Sequence, residues 1–196
     1  MLHMKILMVN GEAQAGGIME QAMHFIGEIC MEHGIFFDLV VIDQNRNQPC
    51  IACGKCYRQR RCQKPGINDI LDRLDTYDGL VIGGKVQYGK LNRETISFIN
   101  RLMRCGNDRI AYLPAAVFVS FRKHCDSDAW GTLMKLLEGN RSSIVNDSQH
   151  CMLTGKSAEE KAMICEIMEK MISMMKDDHL EVRKEKPLAR LLDYMR

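Results

Sequence analysis

Short apolar runs alternate with stretches of helical spacing along this chain, and that alternation most constrains its fold. Lys5–Asn10 (KILMVN), Ile35–Ile42 (IFFDLVVI), Gly79–Gly83 (GLVIG) and Ala115–Ser120 (AAVFVS) read as strands, with shorter candidates at Ser143–Val145 and Cys151–Thr154. Between them Ile18–His33, Ile67–Leu74, Asn92–Cys105 and Ala129–Leu137 carry apolar residues at helical intervals. The strands are apolar at consecutive positions, as expected of a sheet covered on both faces. The pattern predicts an α/β fold, a doubly wound parallel sheet with helices on both faces.

The remaining segments follow the same logic. Ser157-x-x-Glu160 is a capping box, and it opens a predicted helix over Ala158–Lys176. Its stripe of Met163, Ile167, Met171 and Met174 reads as core. The polar stretch Asp177–Lys186 reads as a linker to Pro187 and a short terminal helix, Leu188–Met195. The 196 residues suit a single domain over 1–196, with a C-terminal helical extension at 187–196. A net charge of +2 is too small to argue for a nucleic-acid partner. No apolar stretch reaches the roughly 18 residues of a membrane helix, and the N-terminus lacks the features of a secretory signal. The expected setting is the cytoplasm, without a membrane partner.

In that setting the nine cysteines are informative, because a reducing compartment does not favour structural disulfides. Cys50, Cys53, Cys56 and Cys62 fall in one loop, 50–66, with the spacing C-x2-C-x2-C-x5-C. Thiols at that density make sense if they face one centre. Structural zinc sites usually pair two C-x2-C knuckles a dozen or more residues apart. A consecutive C-x2-C-x2-C run is how a loop wraps a 4Fe–4S cubane. Iron–sulfur, zinc and thiols without metal all remain open on spacing alone. Lys55, Arg58, Arg60 and Arg61 lie among the cysteines and would offset thiolate charge or form a solvated face. Cys30 and Cys165 fall on apolar helix faces and read as small buried hydrophobes.

Parallel sheets bind ligands at the carboxyl ends of their strands. The predicted loops at that end are Gly11–Gly17, Gly83–Leu91 and Ser120–Asp128. The cysteine loop follows the second strand, so a cysteine-held centre is expected beside the ligand crevice.

Met4–Leu7 (MKIL), Pro49–Cys62 (PCIACGKCYRQRRC), Tyr77–Gly84 (YDGLVIGG) and Ser97–Leu102 (SFINRL) together resemble the iron–sulfur flavoproteins. These are a branch of the NAD(P)H-dependent FMN reductases with a flavodoxin-like fold. Beyond about Leu102 the likeness is one of fold only. The resemblance implies FMN and a 4Fe–4S cluster exchanging electrons, in a homodimer or homotetramer, with NAD(P)H or a ferredoxin-type protein as donor. It places the flavin contacts at Asn10, Gly11, Ala13, Gly16, Gly17, Lys85, Val86, Gln87, Tyr88, Gly89, Ser120 and Arg122, and the cluster ligands at Cys50, Cys53, Cys56 and Cys62. No side-chain acid or base is required for such transfer. The rival expectation is a relative that has lost FMN and serves as a cluster- or zinc-binding interaction module.

This chain departs from the family's phosphate loop. The family pattern there is roughly Ser-Gly-Ser-Pro-Arg followed by Asn-Thr. Here stand Asn10, Gly11, Glu12, Ala13 and Gln14, then Ile18 and Met19. The second loop has Gly84, Lys85, Val86 and Gln87 where the family has Ser-Pro-x-Tyr, with Tyr88 and Gly89 beside it. Gly11, Gly16 and Gly17 still permit a backbone cradle, and Lys85, Lys90, Arg122 and Lys123 could supply the missing positive charge. Ser120, His124 and Asp126 show no nucleophile-elbow pattern. His124 and Cys125 are a possible ligand or redox pair, more simply read as loop residues.

Overall fold

A computed structural model describes residues 4–43, 46, 48–106, 109–121, 128–138, 142–146, 152–155 and 157–194, with side chains as far as 177. The strands are β1 (Lys5–Asn10), β2 (Phe36–Val41), β3 (Gly79–Gln87), β4 (Lys90–Leu91), β5 (Pro114–Ser120), β6 (Ser143–Ile144) and β7 (Met152–Leu153). The helices are α1 (Ile18–Glu32), α2 (Cys56–Gln59), α3 (Asn68–Leu71), α4 (Arg93–Gly106), α5 (Ala129–Glu138) and α6 (Ala158–Tyr194). The sheet runs β2-β1-β3-β5, with β6 and β7 both beside β5 as two pieces of an outer strand. All of these pairings are parallel, and β4 alone pairs antiparallel, with β3. This is the flavodoxin-like order, as expected.

The consecutive apolar residues are explained by two cores. Leu7, Val9, Leu80 and Ile82 face α3, α4 and α5, with Phe98, Leu102 and Leu133 packed against them. Their neighbours Ile6, Met8, Val81 and Phe118 face α1 and α6, against Met19, Ile26, Met168 and Met171. Alternate residues serve opposite faces, and both faces are dry. Glu160 donates its backbone N–H to the Ser157 hydroxyl at 3.1 Å, and its carboxylate accepts from the N–H of Thr154 and of Gly155, each at 2.9 Å. The capping residues thus tie β7 to the start of α6.

Two boundaries differ from expectation. β3 does not stop at its glycines but runs on to Gln87. A Cβ on Gly83 would lie 2.2 Å from the Met19 sulfur, and one on Gly84 would lie 2.4 Å from a Leu91 methyl. These glycines permit close packing inside a strand rather than end it. Tyr88 and Gly89 then form a two-residue hairpin turn, with φ of 51° and 76°, the signs a primed turn requires. At the other end of the chain, the stretch 177–186 is not a linker, because α6 continues through it and through Pro187 to Tyr194. Its Leu, Glu, Arg and Lys residues are good helix formers, so polarity alone was a poor guide. Among the described residues no helix is long and apolar enough to cross a membrane.

Candidate functional site

Two constructions stand out, and both are organised by α4. The first is the crevice at the carboxyl edge of the sheet. There Asn10 pairs with Gly83, and Lys85 with Ser120. The chain turns away from β1 at Gly11, whose N–H donates to the Gly83 carbonyl at 2.8 Å. A Cβ at Gly11 would fall 2.0 Å from the Thr95 hydroxyl and 2.7 Å from that carbonyl. Gly11 is therefore a packing requirement, with β3 and α4 pressed against it. Asn92, buried just before α4, locks the arrangement. Its Nδ2 donates to the Gly11 carbonyl at 2.8 Å, and its Oδ1 accepts from the Thr95 hydroxyl at 2.6 Å and from the Lys85 N–H at 3.2 Å.

Glu12 does not point to solvent. It is 5% exposed, and its carboxylate turns in toward the start of α1. Oε2 accepts from the Met19 backbone N–H at 3.1 Å and from the Ser120 hydroxyl at 3.5 Å. Oε1 pairs with the Lys85 ammonium at 2.8 Å. Asn10 Oδ1 accepts the Glu12 N–H at 2.8 Å, which orients the residue. A Cβ on Gly17 would meet the Glu12 carboxyl carbon at 2.7 Å. Gly16, at φ +70°, directs its N–H to the Glu20 carboxylate, and the Gly17 N–H goes to the Gln14 carbonyl at 3.2 Å.

The other expected contacts are arranged as follows. Ala13, Gly16 and Gly17 are in the β1–α1 loop. Lys85 and Val86 are half-buried at the end of β3, and Gln87 is exposed. Tyr88 stands fully exposed at the hairpin tip beside Gly89. Ser120 is buried, in contact with Glu12. Arg122, Lys123, His124, Cys125 and Asp126 lie outside the described residues.

The second construction is the cysteine loop. Cys50, Cys53, Cys56 and Cys62 all line one cavity, together with Cys105, Arg101 and Arg104 from α4. Cys50 and Cys53 are exposed, and Cys56 and Cys62 are half-buried. The loop holds this shape through left-handed Ala52, Gly54 and Arg60, with φ between 49° and 69°, and through the single turn of α2. Asn68 fixes Cys62 on both sides, accepting its N–H at 2.9 Å and donating to its carbonyl at 3.0 Å.

Arg101 is the principal fastening. Its side chain is 1% exposed and reaches from α4 into the loop. Its donors meet the carbonyls of Arg46 at 3.2 Å, Gln48 at 3.1 Å, Lys64 at 2.9 Å and Pro65 at 2.6 Å, and the Cys62 sulfur at 3.4 Å. Burial alone would push the Cys62 thiol up, but Arg101 and the Lys64 backbone outweigh it and hold it below the ordinary value. Cys105 is pushed up to about 12, first by burial and then by Cys62 and Cys56. Among the described residues no three His, Cys, Asp or Glu side chains converge closely enough for a single metal ion.

Sequence reading singled out neither Asn92, Thr95, Arg101 nor Cys105. A signal for Arg101 exists: it falls among Phe98, Leu102 and Cys105 on the buried face of α4, where a charge needs a partner. The crevice and the cavity draw on different turns of α4. Asn92 and Thr95 serve the crevice at the first turn of α4, and Arg101, Arg104 and Cys105 line the cavity in its last turns. From Asn92 to Arg101 the helix rises about 14 Å.

With this geometry in hand, the comparisons are specific. The family described as NADPH-dependent FMN reductase matches residues 4–151. An iron–sulfur flavoprotein of Methanocaldococcus jannaschii is 22% identical over 103 residues, which span 50% of this chain and 51% of that relative. An archaeal flavodoxin superposes with a TM-score of 0.62 at 12% identity, covering 88% of this chain and 99% of its own. The FerB NAD(P)H:acceptor oxidoreductase of Paracoccus denitrificans gives 0.64 at 8% identity, with 89% and 98% covered. At such identities these two structures speak for the fold alone.

Proposed function

The chain belongs to the NADPH-dependent FMN reductase family, and from that premise we propose that it is an electron-transfer protein whose cysteine cavity holds a 4Fe–4S cluster. The observation that carries this reading is a single cavity lined by Cys50, Cys53, Cys56 and Cys62, without convergence on one point. A zinc ion needs four sulfurs about 2.3 Å from one centre. A cubane needs thiols spread around a larger body. When bound, the cluster would supply one-electron transfer.

The protein's residues would set its surroundings. The four thiolates would hold it and Arg101 would offset their charge, with Cys105 lining the same cavity. Arg104, which donates to the Tyr57 hydroxyl at 3.1 Å, would close the cavity's outer side. Electrons would come from NAD(P)H or a ferredoxin-type donor, in a homodimer or homotetramer. The resemblance to an iron–sulfur flavoprotein over half the chain supports this reading.

FMN is the cofactor the family implies, but its phosphate does not fit the β1–α1 loop. The Met19, Gly16 and Gly17 N–H groups already have partners within the chain. This favours a second reading, a cluster-bearing module that has lost FMN. Anaerobic purification followed by iron, zinc, sulfide and flavin analysis tests both. About four irons and four sulfides per chain are expected. Stoichiometric zinc without iron sinks the cluster, and bound FMN sinks the second reading.

A further inference from the structure

The Glu12 carboxylate occupies the position at which an anion would meet α1. The start of a helix after β1, at the carboxyl edge of a parallel sheet, is where backbone N–H groups and the helix dipole favour a phosphate. Here the chain brings its own anion to that position. Glu12 is buried, takes the Met19 N–H and carries the Lys85 ammonium as its counter-charge. Glu20 takes the Gly16 N–H in the same way. A phosphate dianion would have to displace one carboxylate and approach a second. Lys85, the cation beside Glu12, is already shared between Glu12 and Gln14, whose Oε1 lies 3.3 Å from the ammonium.

We infer that Glu12 is an internal substitute for a ligand phosphate, and that the crevice selects a flavin without one, of the riboflavin class. This rests on the flavin part of the family reading and reverses its phosphate preference. Like charges brought together in a desolvated site carry a large penalty, whereas an uncharged ribityl chain would leave the Glu12–Lys85 pair intact. Glu12→Ser removes the carboxylate, frees the Met19 N–H and Lys85, and supplies a hydroxyl that suits a phosphate.

The experiment is flavin binding, followed by fluorescence quenching, with riboflavin and FMN as separate probes. The full-length protein, Glu12→Ser and Glu12→Gln are compared, and iron content is measured in each sample. The unaltered protein is expected to bind riboflavin at least as tightly as FMN. Glu12→Ser is expected to raise the FMN affinity, relative to riboflavin, by about tenfold or more. Glu12→Gln, which keeps the shape and removes the charge, should move the ratio the same way by less. An unaltered protein that prefers FMN tenfold overturns the inference and leaves the flavin reading standing. A ratio indifferent to both substitutions also overturns it. If no form binds either flavin, the inference and the flavin reading fall together, while the iron content still reports on the cluster.

Discussion

The two ends of α4 serve two sites built on opposite principles. At its last turns, side chains are the prospective ligands, and the helix contributes the fastening of Arg101 to four loop carbonyls and a thiol. At its first turn it braces Gly11 and the loop leading to α1, whose backbone N–H groups are the prospective ligands, and the surrounding side chains compete for them. A cysteine can be replaced as a ligand only by changing the cysteine. A backbone N–H can be claimed by any nearby acceptor, as Glu12 claims that of Met19. A site made of side chains therefore survives sequence drift visibly, whereas a site made of backbone can be closed by one neighbouring residue.

The largest effect that would sharpen this contrast is expected at the cysteine end. Cys53→Ser should abolish iron retention while leaving flavin affinity and the unfolding midpoint nearly unchanged. Iron at the unaltered level would remove Cys53 from the ligand set. Arg101→Ala comes next. It strands several partly buried carbonyls and removes a buried side chain, and an unsatisfied buried polar group costs about 1–3 kcal/mol, so denaturant unfolding should show a loss of about 3 kcal/mol together with weaker iron retention. Stability lost without any change in iron would confine Arg101 to a structural role.

Gly11→Ala probes the other end. A new methyl group against Thr95 and the Gly83 carbonyl should cost about 1–3 kcal/mol, and because the carbonyl is backbone, Thr95→Ala should recover only part of it. Full recovery would show that the hydroxyl alone sets the limit. The smallest effect is a baseline at a residue that belongs to neither site. Burial works against the charged form of Asp38, but the Tyr77 hydroxyl, Lys5 and Arg73 outweigh it and hold the carboxyl below the ordinary range. A depressed folded-state value means that its stabilisation is present above the ordinary pKa of about 3.9 and lost as pH falls through the lower one. With Lys5 at 2.9 Å and Arg73 at 2.8 Å, about 1 kcal/mol should disappear on acidification below about pH 4. Asp38→Asn should flatten that part of the profile, and an unchanged profile would assign the loss elsewhere.

The same contrast explains what was legible in the sequence. The strands and helices of the sheet could be read because buried strands and amphipathic helices impose periodic patterns. The four cysteines could be read because their spacing is itself the chemistry. Glu12 was visible as a departure from the family's phosphate loop, but its direction was not, since that depends on Lys85 and Ser120, which arrive from β3 and β5. Arg101 was hidden because its partners lie 36 to 55 residues away in sequence. Gly83 and Gly84 misled for the same reason: what crowds them, Met19 and Leu91, is set by packing.

The reach of Arg101 also sets an order of events. The cysteine loop precedes α4 in the chain, yet the carbonyls that fix its shape are held by a residue that follows. A nascent chain that has only just exposed Cys62 does not yet present Arg101 to close the loop around a guest. Iron and sulfide are therefore expected to enter a folded sheet. Chain refolded before exposure to iron and sulfide should load faster than chain given both while unfolded, and the reverse ranking would show that the thiols gather their cargo first.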